Sequence, residues 1–362
     1  MNIDLLKRLC ETPGVPGRED RVRDLILKEI DGLFDEVEVD PMGSVICTRY
    51  PRAVRKSGTK SRAKPKPVDG ATRVMQLCHM DEIGFFVYAI DDNGFIWINP
   101  AGGFDPRNLF SRRVLVCTDN GDYKGVMNPG GRPVHISSPD DRKKVPEVKE
   151  FFVDIGLPAA QVKSKIKVGD FIVMDEPAIE IGKKVVSKAL DNRVACWLGI
   201  ESVRELQKSG AGHKAEIVVV FTVQEEVGLR GAKTASYAVQ PDIGLGIDVT
   251  LACDTPGVPE NERVTTHGKG FALHIKDGSF IADRGLVDEV EAIAKRKKIP
   301  YQRSILAAGG QDGAAAQQAA AGARAIGITV GTRYIHTVTE MIDTGDLKAA
   351  RDILTAYMAS VK

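Results

Sequence analysis

The sequence predicts an α/β protein: a mixed, mostly parallel sheet flanked by helices, with a small all-β barrel inserted into it. Three observations carry this. Ile217 to Val223 is an unbroken run of β-branched and aromatic residues, the composition of a strand buried on both faces in the middle of a parallel sheet. Further apolar runs at 74–78 and 325–330 alternate with segments of helical period, as in chains that wind helices over such a sheet. From Ile83 to Val186 the character changes to short alternating strands separated by Gly, Asn and Asp turns, the pattern of a small barrel or sandwich. Residues 1–82 and 187–362 are therefore expected to form the α/β domain, and 83–186 the inserted β domain.

Taken in order, Ile3 to Cys10 reads as a short helix, which Thr12-Pro-Gly-Val-Pro-Gly17 breaks before a longer one from about Arg18 to Leu33. Val22, Leu25, Ile26 and Ile30 give that second helix one apolar face. Val37–Val39 and Val45–Thr48 read as a hairpin about Asp40-Pro-Met-Gly43. Arg52 to Lys66 carries seven basic residues and no acidic ones; without aromatic residues it reads as a solvated excursion rather than a nucleic-acid patch. Val74–Cys78 is the next buried strand. The inserted domain follows with GFFVYAI, GFIWINP, RRVLVCT, YKGVMN, KEFFVDI and DFIVMD as its strands. A helix from about Asn192 to Lys208, the strand Ile217–Val223, a strand carrying His274 at Phe271–Ile275 and an amphipathic helix at Gly285–Lys297 complete the middle of the chain. Ala325–Val330 is a late strand, and a final helix runs from about Gly345 to Ala359. His135, His213, His267 and His274 read as surface, turn or packing residues.

Composition narrows the function classes. Fifty basic residues against forty-nine acidic ones leave a net charge of +1, so no overall charge draws the chain to nucleic acid or membrane. No apolar run approaches the ~20 residues that span a bilayer, and the charged N-terminus has no signal-peptide core. The six cysteines are widely spaced and form no CxxC, which suits free thiols in a reducing compartment. A cytoplasmic protein is expected.

The chemistry gathers at strand ends. The strand Ile217–Val223 runs into Gln224-Glu225-Glu226 before Gly228 and Gly231 turn the chain, and ligands of open α/β sheets sit outside the carboxyl ends of strands. Neighbours on an extended backbone point to opposite sides, so the two carboxylates are expected to hold separate tasks. His79 and Asp81 follow another strand and, two apart, face the same side; an acid so placed can influence the electrostatics of a ligating histidine. Asp191 opens a helix, where it is either an N-cap or a carboxylate able to bridge two cations. Asp248 and His336 lie at further apolar-to-polar boundaries. Two histidines and several carboxylates without a thiol suit Zn²⁺, Co²⁺ or Mn²⁺. A pair of such ions about 3.5 Å apart, bridged by a carboxylate and a water, activates that water and stabilises the oxyanion of an attacked amide, which is a hydrolase design. A glycosidase using Glu225 with Asp191 or Asp248 gives the histidines no role. A silent shell or binding protein leaves a complete donor set unexplained.

The strings LCHMDEIGFFV, SKALDNR, VQEEVGLRGA, GIDVT, GGQDG and RYIHTVTEMID occur in the order found in the dinuclear metallo-aminopeptidases of the glutamyl or deblocking, tetrahedral-shell type, and the chain resembles that family over essentially its whole length. The resemblance implies a zinc-exopeptidase-like fold and two divalent metal ions per subunit. His79 and Asp248 would bind one ion and Glu226 and His336 the other, with Asp191 bridging. Glu225 would be the general base and acid, and Asp81 would support the His79 site. It also implies peptide substrates with a free N-terminus and a homo-oligomer, a dodecamer assembled through the β domain. Related dinuclear carboxypeptidases, dipeptidases and deacylases share such ligands, so the choice of aminopeptidase rests on the whole-chain resemblance. The basic segment and GGQDG, where a GGTDA-like string is more usual, are departures that bear on substrate preference and assembly.

Overall fold

The computed structural model describes residues 1–54 and 65–361, so most of the basic segment Arg52–Lys66 lies outside the described residues. The N-terminal part comprises α1 (Ile3–Glu11), α2 (Asp20–Glu29), β1 (Glu36–Val39), β2 (Val45–Arg49) and β3 (Arg73–His79). The second helix is shorter than its apolar period suggests. It ends at Glu29, and Ile30 and Leu33 continue the same buried face from a turn. Asp40 Oδ1 accepts the amides of Met42 and Ser44, which closes the β1–β2 turn.

Next come β4 (Gly84–Ile90), β5 (Ile96–Ala101), β6 (Arg112–Thr118), β7 (Gly121–Pro129), β8 (Phe151–Asp154), the helix α3 (Ala159–Lys165) and β9 (Phe171–Met174). The six strands close into a barrel in the order β4-β5-β8-β7-β6-β9, and each coincides with a strand expected from sequence. Closure leaves no unpaired edge. Its filling is made of alternate inward residues, among them Phe85, Val87, Ile96, Val114, Val116 and Phe151.

The chain then returns to the larger body. The elements are β10 (Ile179–Ile181), β11 (Lys184–Ser187), α4 (Leu190–Ser209), β12 (Glu216–Thr222), α5 (Arg230–Val239), β13 (Ile243–Leu251), β14 (Phe271–Lys276) and α6 (Arg284–Lys297). They are followed by β15 (Tyr301–Ile305), α7 (Gly313–Gln318), β16 (Arg324–Arg333), β17 (Glu340–Asp343) and α8 (Thr344–Met358). One sheet has the order β1-β2-β12-β3-β13-β16-β17-β11-β10, with β14 on β16 and β15 on β14. It is mixed, and its parallel pairings are confined to the central β12-β3-β13-β16 block and the β14–β15 pair. The hairpin β10–β11 pairs with β17 in this sheet, so the barrel strands end at Met174 and residues 179–187 belong to the large sheet.

The central strands are buried on both faces because helices cover both. On β12, Ile217, Val219 and Phe221 join the core beneath α1, α4 and α8, while Val218 and Val220 join the one beneath α5 and α7. Each such side chain removed from water contributes about 1.5–3 kcal/mol. No described helix is long and apolar enough to cross a membrane.

Candidate metal centre

The central strands end at one place. His79 is the last residue of β3 and pairs in register with Thr222, the last residue of β12. Asp81 lies two residues beyond. Glu225 and Glu226 follow β12 in a turn whose first residue, Gln224, has a left-handed φ of 56°. Asp248 lies within β13, three residues before its end, because the strand continues past the expected boundary to pair with β16 through Leu251. His336 sits in the turn after β16 with a φ of 64°.

Asp191 joins the pieces. Its Oδ1 is 3.3 Å from His79 Nε2 and its Oδ2 is 3.5 Å from His336 Nε2. It does not cap α4: Asn192 Oδ1 accepts the amide of Ala195 instead, and both Asp191 and Asn192 have non-helical backbone angles. His336 Nε2 is 3.6 Å from Glu226 Oε2, and His79 Nε2 is 3.8 Å from Glu225 Oε2. Among the described residues, three groups offer one donor atom each within 4.8 Å of one another: His79-Asp191-Asp248, Asp191-Glu226-His336 and His79-Glu225-Glu226. The first two share Asp191.

Supporting carboxylates hold these groups by their backbone. Asp81 accepts the amide of Glu225 at Oδ1 and that of Glu226 at Oδ2, both at 3.1 Å, and its Oδ1 is 3.4 Å from His79 Nδ1. Glu340 does the same on the other side: it accepts Asp191 N at 3.0 Å and His336 N at 2.7 Å. Thr222 Oγ1 donates to Asp312, so the GGQDG string reaches the floor of the site. Glu82, next to Asp81, is buried between Lys188 Nζ at 2.6 Å and Arg193 Nη2 at 3.4 Å. The sequence reading gave Glu340, Asp312 and Glu82 no role of their own, although each lies within one of the strings RYIHTVTEMID, GGQDG and LCHMDEIGFFV.

The electrostatics are those of a centre short of positive charge. Burial raises Glu226 well above the usual carboxylate range, and the neighbouring Asp191 and Glu225 add to it. Asp248 is raised by burial and then by Asp191. Glu225 is raised by burial against the pull of His79. Burial opposes the charge of Asp191 too, but hydrogen bonds to His336 and His79 outweigh it and hold this carboxyl below its usual value. Burial would lower both histidines; Glu225, Asp191 and Asp81 raise His79 instead, and Asp191 raises His336. Glu226 Oε1 is buried without a hydrogen-bond partner. Clustered buried carboxylates, imidazoles and an orphaned oxygen form a donor set that divalent cations satisfy.

The family described as M42 glutamyl aminopeptidase matches residues 61–353. The chain belongs to this family. It is a metal-dependent aminopeptidase, a hydrolase of the exopeptidase class. Among the solved structures that match nearly its whole length are three aminopeptidases or peptidases of at least 28% identity. An aminopeptidase from the archaeon Desulfurococcus kamchatkensis is 35% identical, with a TM-score of 0.88, over 98% of this chain and 94% of that one. The TET aminopeptidase of a marine sediment Thaumarchaeota archaeon is 33% identical, with a TM-score of 0.90, over 99% and 96%. The TET1 peptidase of Pyrococcus horikoshii is 28% identical, with a TM-score of 0.84, over 98% of both chains. M42 membership implies divalent metals, and the donor set fits them.

Proposed function

We propose that this aminopeptidase works with two divalent cations, one held by His79 and Asp248 and the other by Glu226 and His336, with Asp191 shared. The observation that carries this reading is Asp191, whose two oxygens face one histidine each at 3.3 and 3.5 Å. The donors suit Zn²⁺, with Co²⁺ or Mn²⁺ as alternatives. Bound there, such ions supply Lewis acidity towards a water and an amide carbonyl.

The remaining chemistry belongs to the chain. Glu225, assigned to neither cation, takes a proton from the attacking water and hands it to the leaving amine. Its burial and raised carboxyl suit an acid that must also serve as a base near neutral pH. Asp81 holds the backbone of both glutamates, and Glu340 that of Asp191 and His336. Beside Asp191 and His336 lies a small cavity whose walls are both apolar, with Phe104, Leu109 and Met174, and charged, with Glu82 and Lys188. The substrates are peptides with a free N-terminus.

The TET1 peptidase of Pyrococcus horikoshii can assemble into a tetrahedron or a large octahedral shell. By that likeness this chain forms a homo-oligomer, a dodecamer built through its β barrel, in the cytoplasm. Five of its six cysteines are buried free thiols, in keeping with a reducing compartment.

Metal analysis of purified protein, paired with Glu225→Gln, tests the assignment. Two ions per subunit in both proteins and turnover only in the wild type are expected. Loss of an ion in Glu225→Gln would move Glu225 into the ligand set through the His79-Glu225-Glu226 group.

A further inference from the structure

The segment between α1 and α2, Thr12-Pro-Gly-Val-Pro-Gly-Arg-Glu19, reads from sequence as a helix breaker, yet it lies against two of the loops at the metal centre, those that follow β3 and β12. Glu82 N donates to Gly14 O at 2.9 Å, and Gly14 N donates to Glu82 Oε1 at 3.3 Å. Glu19 stands at the N-cap position of α2, but its carboxylate does not cap its own helix. Instead Oε1 accepts Gly17 N at 2.8 Å and Gln224 N at 3.1 Å. Glu19 is 3% exposed while Arg18 and Asp20 on either side are exposed. Gln224 immediately precedes Glu225, and its left-handed φ is one that a non-glycine residue keeps only where its surroundings hold it. Three successive amides, those of Gln224, Glu225 and Glu226, are thus gripped by two buried carboxylates, Glu19 and Asp81.

We propose that Glu19 is a positioning residue: its Oε1 pins Gln224 in the left-handed turn and so aims the Glu225 carboxylate. The proposal rests on the reading of Glu225 as the proton carrier. The carboxylate that transfers a proton must lie within hydrogen-bond reach of the water it deprotonates. Glu225 is one peptide away from the pinned residue, so release of Gln224 misdirects it. The ligand contacts among Asp191, His79 and His336 stay in place.

The test compares Glu19→Ala, Glu19→Gln and Glu225→Gln in the full chain loaded with metal. It measures kcat and KM on a free peptide, bound metal and Tm. Alanine removes the acceptor, whereas glutamine keeps a carbonyl oxygen where Oε1 stands. Glu19→Ala should lose kcat by on the order of 10-fold to 100-fold, with KM and metal content near wild type, and Glu19→Gln should recover most of that loss. A folded, metal-loaded Glu19→Ala with wild-type kcat, whatever its Tm, overturns the proposal. So does a Glu19→Gln as slow as the alanine variant, or a loss of activity that tracks loss of metal. Where the alanine variant fails to fold, Glu19→Asp, which withdraws the acceptor by one methylene, must show the same fall in kcat with metal retained; unchanged kcat there also overturns it. An inactive Glu225→Gln beside a fully active Glu19→Ala rejects the role of Glu19 alone. A fully active Glu225→Gln rejects the reading beneath it as well.

Discussion

Asp191 is shared by two donor groups and His336 belongs to one of them, so their loss differs in kind from the loss of Glu225. Asp191→Ala or His336→Ala should lose bound metal together with activity, read by elemental analysis of the purified protein. Glu225→Gln should keep metal and lose turnover by about 100-fold or more, the usual range for general acid–base catalysis. Away from the centre, burial holds His267 down to about 4, with Lys184 and Arg333 adding to the effect, while an unfolded histidine titrates near 6.5. Because the folded value is depressed, the associated stability is complete above pH ~6.5 and lost as the pH falls to ~4. His267→Gln should flatten the dependence of Tm on pH across that window, and an unchanged slope would show that His267 contributes nothing to it. His267 read as an ordinary turn residue in the sequence because nothing local marks its burial beneath Gly331, whose carbonyl lies 3.1 Å from its Nε2. His79, Glu226, Asp248 and His336 stood out because each follows or interrupts an apolar strand, and Asp191 because it opens a helix. Glu340 did not, since its contacts are to the backbone amides of Asp191 and His336, and a sequence carries no mark of an acceptor for distant amides.

The turn from β12 into α5 is where backbone geometry and chemistry meet. Gly231 N donates to Val223 O at 2.9 Å, and a Cβ built on Gly231 would lie 2.5 Å from that same oxygen and 2.8 Å from Ser44 Oγ. Gly231→Ala should therefore destabilise the protein by roughly 1–3 kcal/mol and lower kcat by shifting the glutamate pair, measured by thermal melting and steady-state kinetics. A variant with wild-type Tm and kcat would show that the turn yields without cost. Long elements were legible because burial imposes period: β12 is apolar throughout, and the helix α6 keeps one stripe, Leu286, Val290, Ile293 and Ala294, against the core. The short strands β15 and β17 were not. β15 is half exposed, with Ile305 facing out, and β17 is four residues long and held by β11 and β16 from elsewhere in the chain. The barrel strands, though short, were visible through their turns, as at Asp91, whose Oδ1 accepts the amides of Asn93 and Phe95.

Across the whole molecule, the barrel and the large sheet share the walls of the cavity beside the centre, with Phe104, Leu109 and Met174 from one and His336 and Val338 from the other. Buried carboxylates that must release protons to bind cations make the protein's stability depend on metal. Chelation should lower Tm, restored Zn²⁺, Co²⁺ or Mn²⁺ should raise it again, and an unaffected Tm would leave the cluster without ions to hold. The decisive measurement for a metal-dependent exopeptidase is hydrolysis of a panel of free and N-acetylated peptides, before and after chelation and with each metal restored. Stepwise loss of N-terminal residues from free peptides alone, abolished by chelator and recovered with metal, is the predicted result. Cleavage of acetylated peptides, or turnover indifferent to chelator and metal, would contradict it.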